Sequence, residues 1–274
     1  MNTSPNFIYF GTPSVARDTL AILLAHGFTP SLVVTSPDAP RDRGFTLTPS
    51  PTKILALEHH IPVLTPATLD EKTIATIQTY QGDYALVVAY GKIFPETLIS
   101  AFPQGVLNVH YSLLPKYRGA TPLETALLSG EDTTGVTIQK MVKELDAGDI
   151  IAQETVAIAP EETARELRPR LIDQGARLLV ATLPAYLEGS CTGVPQDPSR
   201  VSRSHKLKKE DGLLSLEDPG QENWNKYRAF ADTIGTYFFK EGKRMKITLA
   251  SFKNNLFTVE RVIPEGKKEK AYMV

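Results

Sequence analysis

The chain has 274 residues, 42% of them hydrophobic and 22% charged, enough for one large domain with a smaller one appended. No apolar run is long enough to cross a bilayer, and the opening MNTSPNFIYFGTP lacks the basic stretch and apolar core of a signal peptide. The lone Cys191 can form neither an internal disulfide nor a CxxC metal site, so a reducing, cytoplasmic setting is expected.

The net charge of −1 is unevenly spread: residues 1–202 carry 15 Lys/Arg against 21 Asp/Glu, residues 203–274 carry 15 against 10. A basic tail on an acidic body fits an anionic partner such as nucleic acid; a lysine-rich solvated surface would give the same count.

FIYF (7–10), SLVVT (31–35), YALVVAY (84–90), GVLNVH (105–110) and GVTIQKM (135–141) read as strands, apolar on both faces as buried parallel strands are. Between them, 14–26, 51–60, 71–80 and 121–129 have helical spacing. The first of these helices is expected to be capped at Thr12-Pro13 and closed by Gly27. Strand–helix alternation predicts an α/β domain with a mostly parallel sheet, whose ligands sit at the carboxyl ends of the strands. Glu161–Glu188 reads as a long helix, with a kink expected at Pro169 or Pro184, and GSCTGVPQDPS (189–199) as a linker. Beyond Val201 the texture becomes β-rich, with turns at Glu241-Gly242 and Asn254-Asn255. The expected boundaries are a first domain at 1–200 and a basic β-rich second domain at 204–274.

The first loop, Phe10-Gly-Thr-Pro-Ser14, has one glycine where dinucleotide sites need three, and no phosphate loop, zinc spacing or nucleophile elbow occurs. Asn108 and His110, at i and i+2, share one face of a predicted strand, where an amide and an imidazole can stabilise an oxyanion. Downstream, KELDAGDI (143–150) places Asp146 and Asp149 around Ala-Gly. A carboxylate near His110 would raise its pKa, orient its ring and accept a proton from an amine. Singly, each residue has a structural explanation: a histidine satisfied within the core, an aspartate in a turn, an asparagine bonded to backbone.

The ordered combination NVHYSLLPKYRGATP (108–122) then ELDAGDI (144–150) resembles the signature of folate-dependent formyltransferases. The resemblance implies a Rossmann-like fold and formyl transfer from 10-formyltetrahydrofolate, with no metal. It implies a catalytic trio of Asn108, His110 and Asp146. Ser112, Leu113, Leu114 and Pro115 match the segment that contacts the formyl-folate, and Tyr90-Gly91 lies where the pterin packs. The loop SPDAPRDRGFTLTPSPTKILA (36–56) resembles the branch that acts on methionyl-tRNA, which implies a monomer whose partner is charged initiator tRNA, with Arg41 and Arg43 in the acceptor-end loop. SHKLKKEDGLLS (204–215), with Lys206, Lys208 and Lys209, resembles that branch's basic interdomain stretch, Tyr227–Phe230 its Arg-Ala-Phe helix, and VIPEGKK (262–268) its closing segment. Strands usual between Lys253 and Phe257 are missing, so the second domain is expected as a reduced OB-like module. A nucleotide-sugar N-formyltransferase would share the trio without needing the Arg43 loop or the basic tail. A silent RNA-binding homologue would not need the trio, and purine-precursor formyltransferases are shorter.

Overall fold

The structure is a computed structural model that describes residues 5–41 and 46–272, without the side chains of residues 41 and 46. Strands β1 (Phe7–Gly11), β2 (Leu32–Val34), β3 (Ala39–Arg41), β4 (Thr46–Thr48), β5 (Val63–Leu64), β6 (Tyr84–Val88), β7 (Val106–His110), β8 (Arg118–Gly119), β9 (Thr133–Lys140) and β10 (Ile150–Ala157) belong to the first part of the chain. Helices α1 (Ser14–Ala25), α2 (Pro51–Glu58), α3 (Glu71–Gln78), α4 (Glu96–Ile99), α5 (Pro122–Leu128) and α6 (Ala164–Leu187) alternate with them.

The main sheet has seven strands in the order β10-β9-β7-β6-β1-β2-β5. The five strands from β7 to β5 are parallel. Alternate residues explain their continuous apolar runs. Tyr9, Leu86 and Val109 face the core beneath α1 and α6, whereas Ile8, Phe10, Ala85 and Val106 face a second core with Ile74, Ile77 and Leu98. The chain turns to opposite sides of the sheet at β1 and β6, so the carboxyl ends of these strands open a crevice.

Several expectations need correction. Strand β9 is antiparallel to β7, not parallel, and is joined to the unanticipated antiparallel β10. The cap residue of α1 is Pro13, with no side-chain bond; the Thr12 hydroxyl instead contacts Ser36 at 3.1 Å. Helix α6 runs through Pro169 and Pro184 as a single element. Segment 189–199 is no free linker: Val194 exchanges both backbone hydrogen bonds with Ile150, at 2.8 and 2.9 Å.

Strand β11 (Arg203–Ser204) then pairs in parallel with β8. Helix α7 (Gly220–Phe230) and strands β12 (Tyr237–Lys240), β13 (Lys243–Lys253), β14 (Leu256–Pro264) and β15 (Lys270–Ala271) complete the chain. The four strands form one antiparallel sheet in chain order, over a core of Leu214, Phe238, Met245, Ile247, Val259 and Val262. Its outer strands do not pair with each other, so the described residues form an open sheet. Asn254 and Asn255, at φ 51° and 61°, join β13 to β14 in two residues. That tight turn lies where the sequence reading expected strands to be missing. Trp224 of α7 stacks between Tyr227 and Phe252 and donates its indole N–H to the Pro160 carbonyl at 3.2 Å. No described helix is long and apolar enough to cross a membrane.

Candidate active site

A cavity of about 590 Å³ opens at the carboxyl ends of β6 and β7. Asn108, His110 and Asp146 all line it, as do Tyr90 and Gly91. Asn108 and His110 share the cavity face of β7 because strand side chains alternate. Opposite Asn108 in register stands Gln139 of β9.

Asp146 comes from the loop between β9 and β10, and its side chain is 10% exposed. Its φ of 51° is uncommon for a residue with a side chain, costs about 1–3 kcal/mol, and persists only where its surroundings hold it. They do so from three directions. The Gly119 N–H donates to Oδ2 at 2.9 Å, Gln139 Nε2 donates to Oδ1 at 2.8 Å, and Gln196 Nε2 donates to the Asp146 carbonyl at 2.9 Å. Two glycines make this approach possible. A Cβ on Gly119, at φ 123°, would run into the Ser204 carbonyl, and one on Gly148 into the Lys140 carbonyl.

His110 is buried, with Nδ1 3.7 Å from Asp146 Oδ2 and Nε2 3.0 Å from the Tyr117 carbonyl oxygen. The expected rise in its pKa does not occur. Burial pushes it below 6.5 and outweighs the opposing pull of the Asp146 charge and the Tyr117 carbonyl. A neutral ring with Nε2–H donating to Tyr117 leaves the Nδ1 lone pair facing Asp146.

Two buried polar atoms on the cavity lining, the Tyr90 hydroxyl and Gln139 Oε1, have no hydrogen-bond partner among the described residues. Burial pushes the Tyr90 hydroxyl up to about 12, so it stands as a neutral donor. The rim carries exposed apolar side chains, Ile93 at 91% and Leu145 at 61%, beside the charged Lys143 and Glu144. Such a site suits a flat heteroaromatic ligand with polar edges.

Other expected site residues fall elsewhere. The lining passes from Tyr111 to Gly119 without Ser112, Leu113, Leu114 or Pro115. Ser112 and Leu114 are buried: the Ser112 hydroxyl donates to the Lys116 carbonyl at 2.6 Å, and Leu114 N–H to Thr137 Oγ1 at 3.2 Å. These bonds shape the turn that carries β8 past Asp146. Arg41 ends β3, and Arg43 lies outside the described residues. Lys206, Lys208 and Lys209 are exposed and lie just beyond β11, away from the cavity lining. The sequence reading missed Gln139, Arg118 and Gln196. A polar residue within the apolar run of β9 was the available signal for Gln139; the Gly/Pro-rich surroundings of Gln196 gave none.

Residues 6–183 match the family described as Formyl transferase, and residues 206–269 match its C-terminal domain. The chain belongs to the formyl transferase family. Among curated formyltransferases, the methionyl-tRNA formyltransferase of Carboxydothermus hydrogenoformans is 41% identical over 240 residues, covering 88% of this chain and 78% of the relative. Among solved formyltransferases, a methionyl-tRNA formyltransferase from Clostridium thermocellum superposes with a TM-score of 0.65 at 16% identity, over 95% of this chain and 99% of that one. The N-formyltransferase from Helicobacter canadensis, in complex with folinic acid and dTDP-3-aminofucose, gives 0.71 at 21% identity, over 92% and 89%. At those identities the two structures establish the formyltransferase fold alone.

Proposed function

We propose that this chain transfers the formyl group of 10-formyltetrahydrofolate to the free α-amine of charged initiator methionyl-tRNA. The observation that carries the chemistry is the convergence of Asn108, His110 and Asp146 on one cavity. The relative at 41% identity supports this acceptor over an amino-sugar nucleotide.

In the proposed reaction the amine nitrogen bonds to the formyl carbon, and the bond from that carbon to folate N10 breaks. The acceptor arrives as an ammonium ion and must lose a proton to attack. Asp146 receives it, directly or through water, and passes it to Nδ1 of His110, which begins neutral. The resulting imidazolium donates from Nδ1 to the developing oxyanion, with Asp146 and the Tyr117 carbonyl compensating its charge. Asn108 supplies a neutral second donor from the same strand face. The attacking nitrogen gives up its second proton through Asp146 to N10, which takes it up as it leaves, and His110 then returns the first proton to solvent. The apolar Ile93 and Leu145 and the Tyr90 hydroxyl fit the folate's rings and polar edge, whereas Ser112–Pro115 support the wall behind them.

For the rest of the molecule, we assign residues 1–200 to catalysis and 204–274 to holding the tRNA backbone through Lys206, Lys208, Lys209 and their neighbours. Arg41 and Arg43 belong to the loop assigned to the acceptor end. The test is transfer of labelled formyl from 10-formyltetrahydrofolate to charged initiator tRNA. Label should appear on the aminoacyl group, and His110→Ala and Asn108→Ala should each slow turnover by roughly 10²–10³-fold. Unlabelled tRNA at saturating enzyme would refute the reading.

A further inference from the structure

We infer that Gln196, in the segment that leads from α6 to the C-terminal sheet, is a positioning residue that sets Asp146 in its reactive place. The inference rests on the role proposed for Asp146.

The loop carrying Asp146 has little of its own to hold it: the residue sits at φ 51°, and neighbouring Leu145 and Glu144 are exposed. Gln196 binds this loop at two points. Its Nε2 donates to the Asp146 carbonyl at 2.9 Å and to the Gly148 carbonyl at 2.7 Å, spending both amide hydrogens. Its Oε1 accepts from Arg118 Nε at 3.1 Å and Nη2 at 2.9 Å. Arg118 is itself buried, so the amide cannot flip without setting donor against donor. The orientation of Gln196 is therefore fixed from one side, and it fixes the loop on the other.

The same segment controls the remaining approach to Asp146. Val194 pairs with Ile150 at the end of the loop, and β11 pairs with β8. Strand β8 contains Gly119, whose N–H holds the Asp146 carboxylate at 2.9 Å. The interdomain segment thus grips the backbone of Asp146 through Gln196 and pins the donor to its side chain through β11. A displacement of about 1 Å in a reacting group can cost a hundredfold in rate, so this grip acts on turnover rather than on binding.

The experiment compares Gln196→Ala, Gln196→Glu, Asp146→Asn and the Gln196→Ala/Asp146→Asn double variant in the full chain, with 10-formyltetrahydrofolate and charged initiator tRNA. Turnover and both Michaelis constants are measured, and thermal unfolding reports the folded fraction. Gln196→Ala should lower kcat about 10- to 100-fold while both Michaelis constants stay within about twofold. Gln196→Glu keeps the acceptor for Arg118 but loses both donors, and it should lose nearly as much; it also serves if the alanine variant does not fold. In the Asp146→Asn background Gln196→Ala should cost nothing further, because its effect passes through the missing carboxylate. Unchanged kcat in both Gln196 variants overturns the inference, as does a full additional loss in the double variant. A loss matching the fall in folded fraction also overturns it and makes Gln196 merely structural. Wild-type turnover in Asp146→Asn overturns the role of Asp146 itself, and the inference with it.

Discussion

In the proposed mechanism buried His110 starts neutral and receives a proton, instead of standing as the cation that its carboxylate neighbour suggested. The same burial leaves a signature in stability. Below pH 6.5 the unfolded chain binds a proton at this position that the folded chain resists until its own, lower pKa is reached. Stability from His110 is therefore fully present above about pH 6.5 and falls as pH drops through the lower folded value. Thermal unfolding of the native chain should lose ground to a His110→Gln variant across that interval; parallel curves would show that the folded ring titrates normally. The grouping of Asn108, His110 and Asp146 on one cavity was legible because they follow one another in a characteristic order. The sign of the histidine shift was not, because desolvation depends on what packs around the ring and not on its neighbours in sequence.

At the scale of elements, legibility followed burial. Strands β1, β6 and β7 are covered on both faces and read as continuous apolar runs, whereas β10 exposes Gln153, Glu154 and Thr155 at the sheet edge and carries no such run. Helix α4 spans four residues, too short to show a period. The helix expected over 51–60 starts at a physical cap: Ser50 Oγ accepts from Lys53 N–H at 3.0 Å and lies 2.7 Å from the buried Thr35 hydroxyl. Ser50→Ala removes the cap and leaves the Thr35 hydroxyl only its 3.5 Å contact to Thr12 Oγ1, so it should cost about 1–3 kcal/mol in denaturant unfolding. A change below a few tenths would mean that water replaces the serine. The segment after α6 was misread because Gly, Pro and Ser mark any irregular backbone, whether it hangs free or binds a neighbouring loop such as the one carrying Asp146.

At the scale of the whole molecule, the segment after α6 is bound into the first part of the chain. Arg168 of α6 reaches Glu124 of α5 at 2.7 Å and Asp232 beyond α7 at 2.8 Å, and β11 is part of the wall that supports Asp146. Removing the chain after Ser202 would thus damage the site as well as the basic surface, and charge reversal is the cleaner probe. Changing Lys206, Lys208 and Lys209 to Glu should raise the Michaelis constant for tRNA and leave kcat near its native value. Native tRNA affinity should fall with salt, with a log–log slope of about 0.7–0.9 for each phosphate neutralised. A salt-independent affinity would make the basic surface irrelevant to the acceptor. Acceptor choice is the most direct test of the account, because the trio proposed as catalytic would serve either kind of amine. The measurement is kcat/KM for charged initiator methionyl-tRNA and for a dTDP-amino sugar, in one preparation with 10-formyltetrahydrofolate. The account predicts efficient formylation of the tRNA and at most a trace on the sugar; preference for the sugar, or equal use of both, would contradict it.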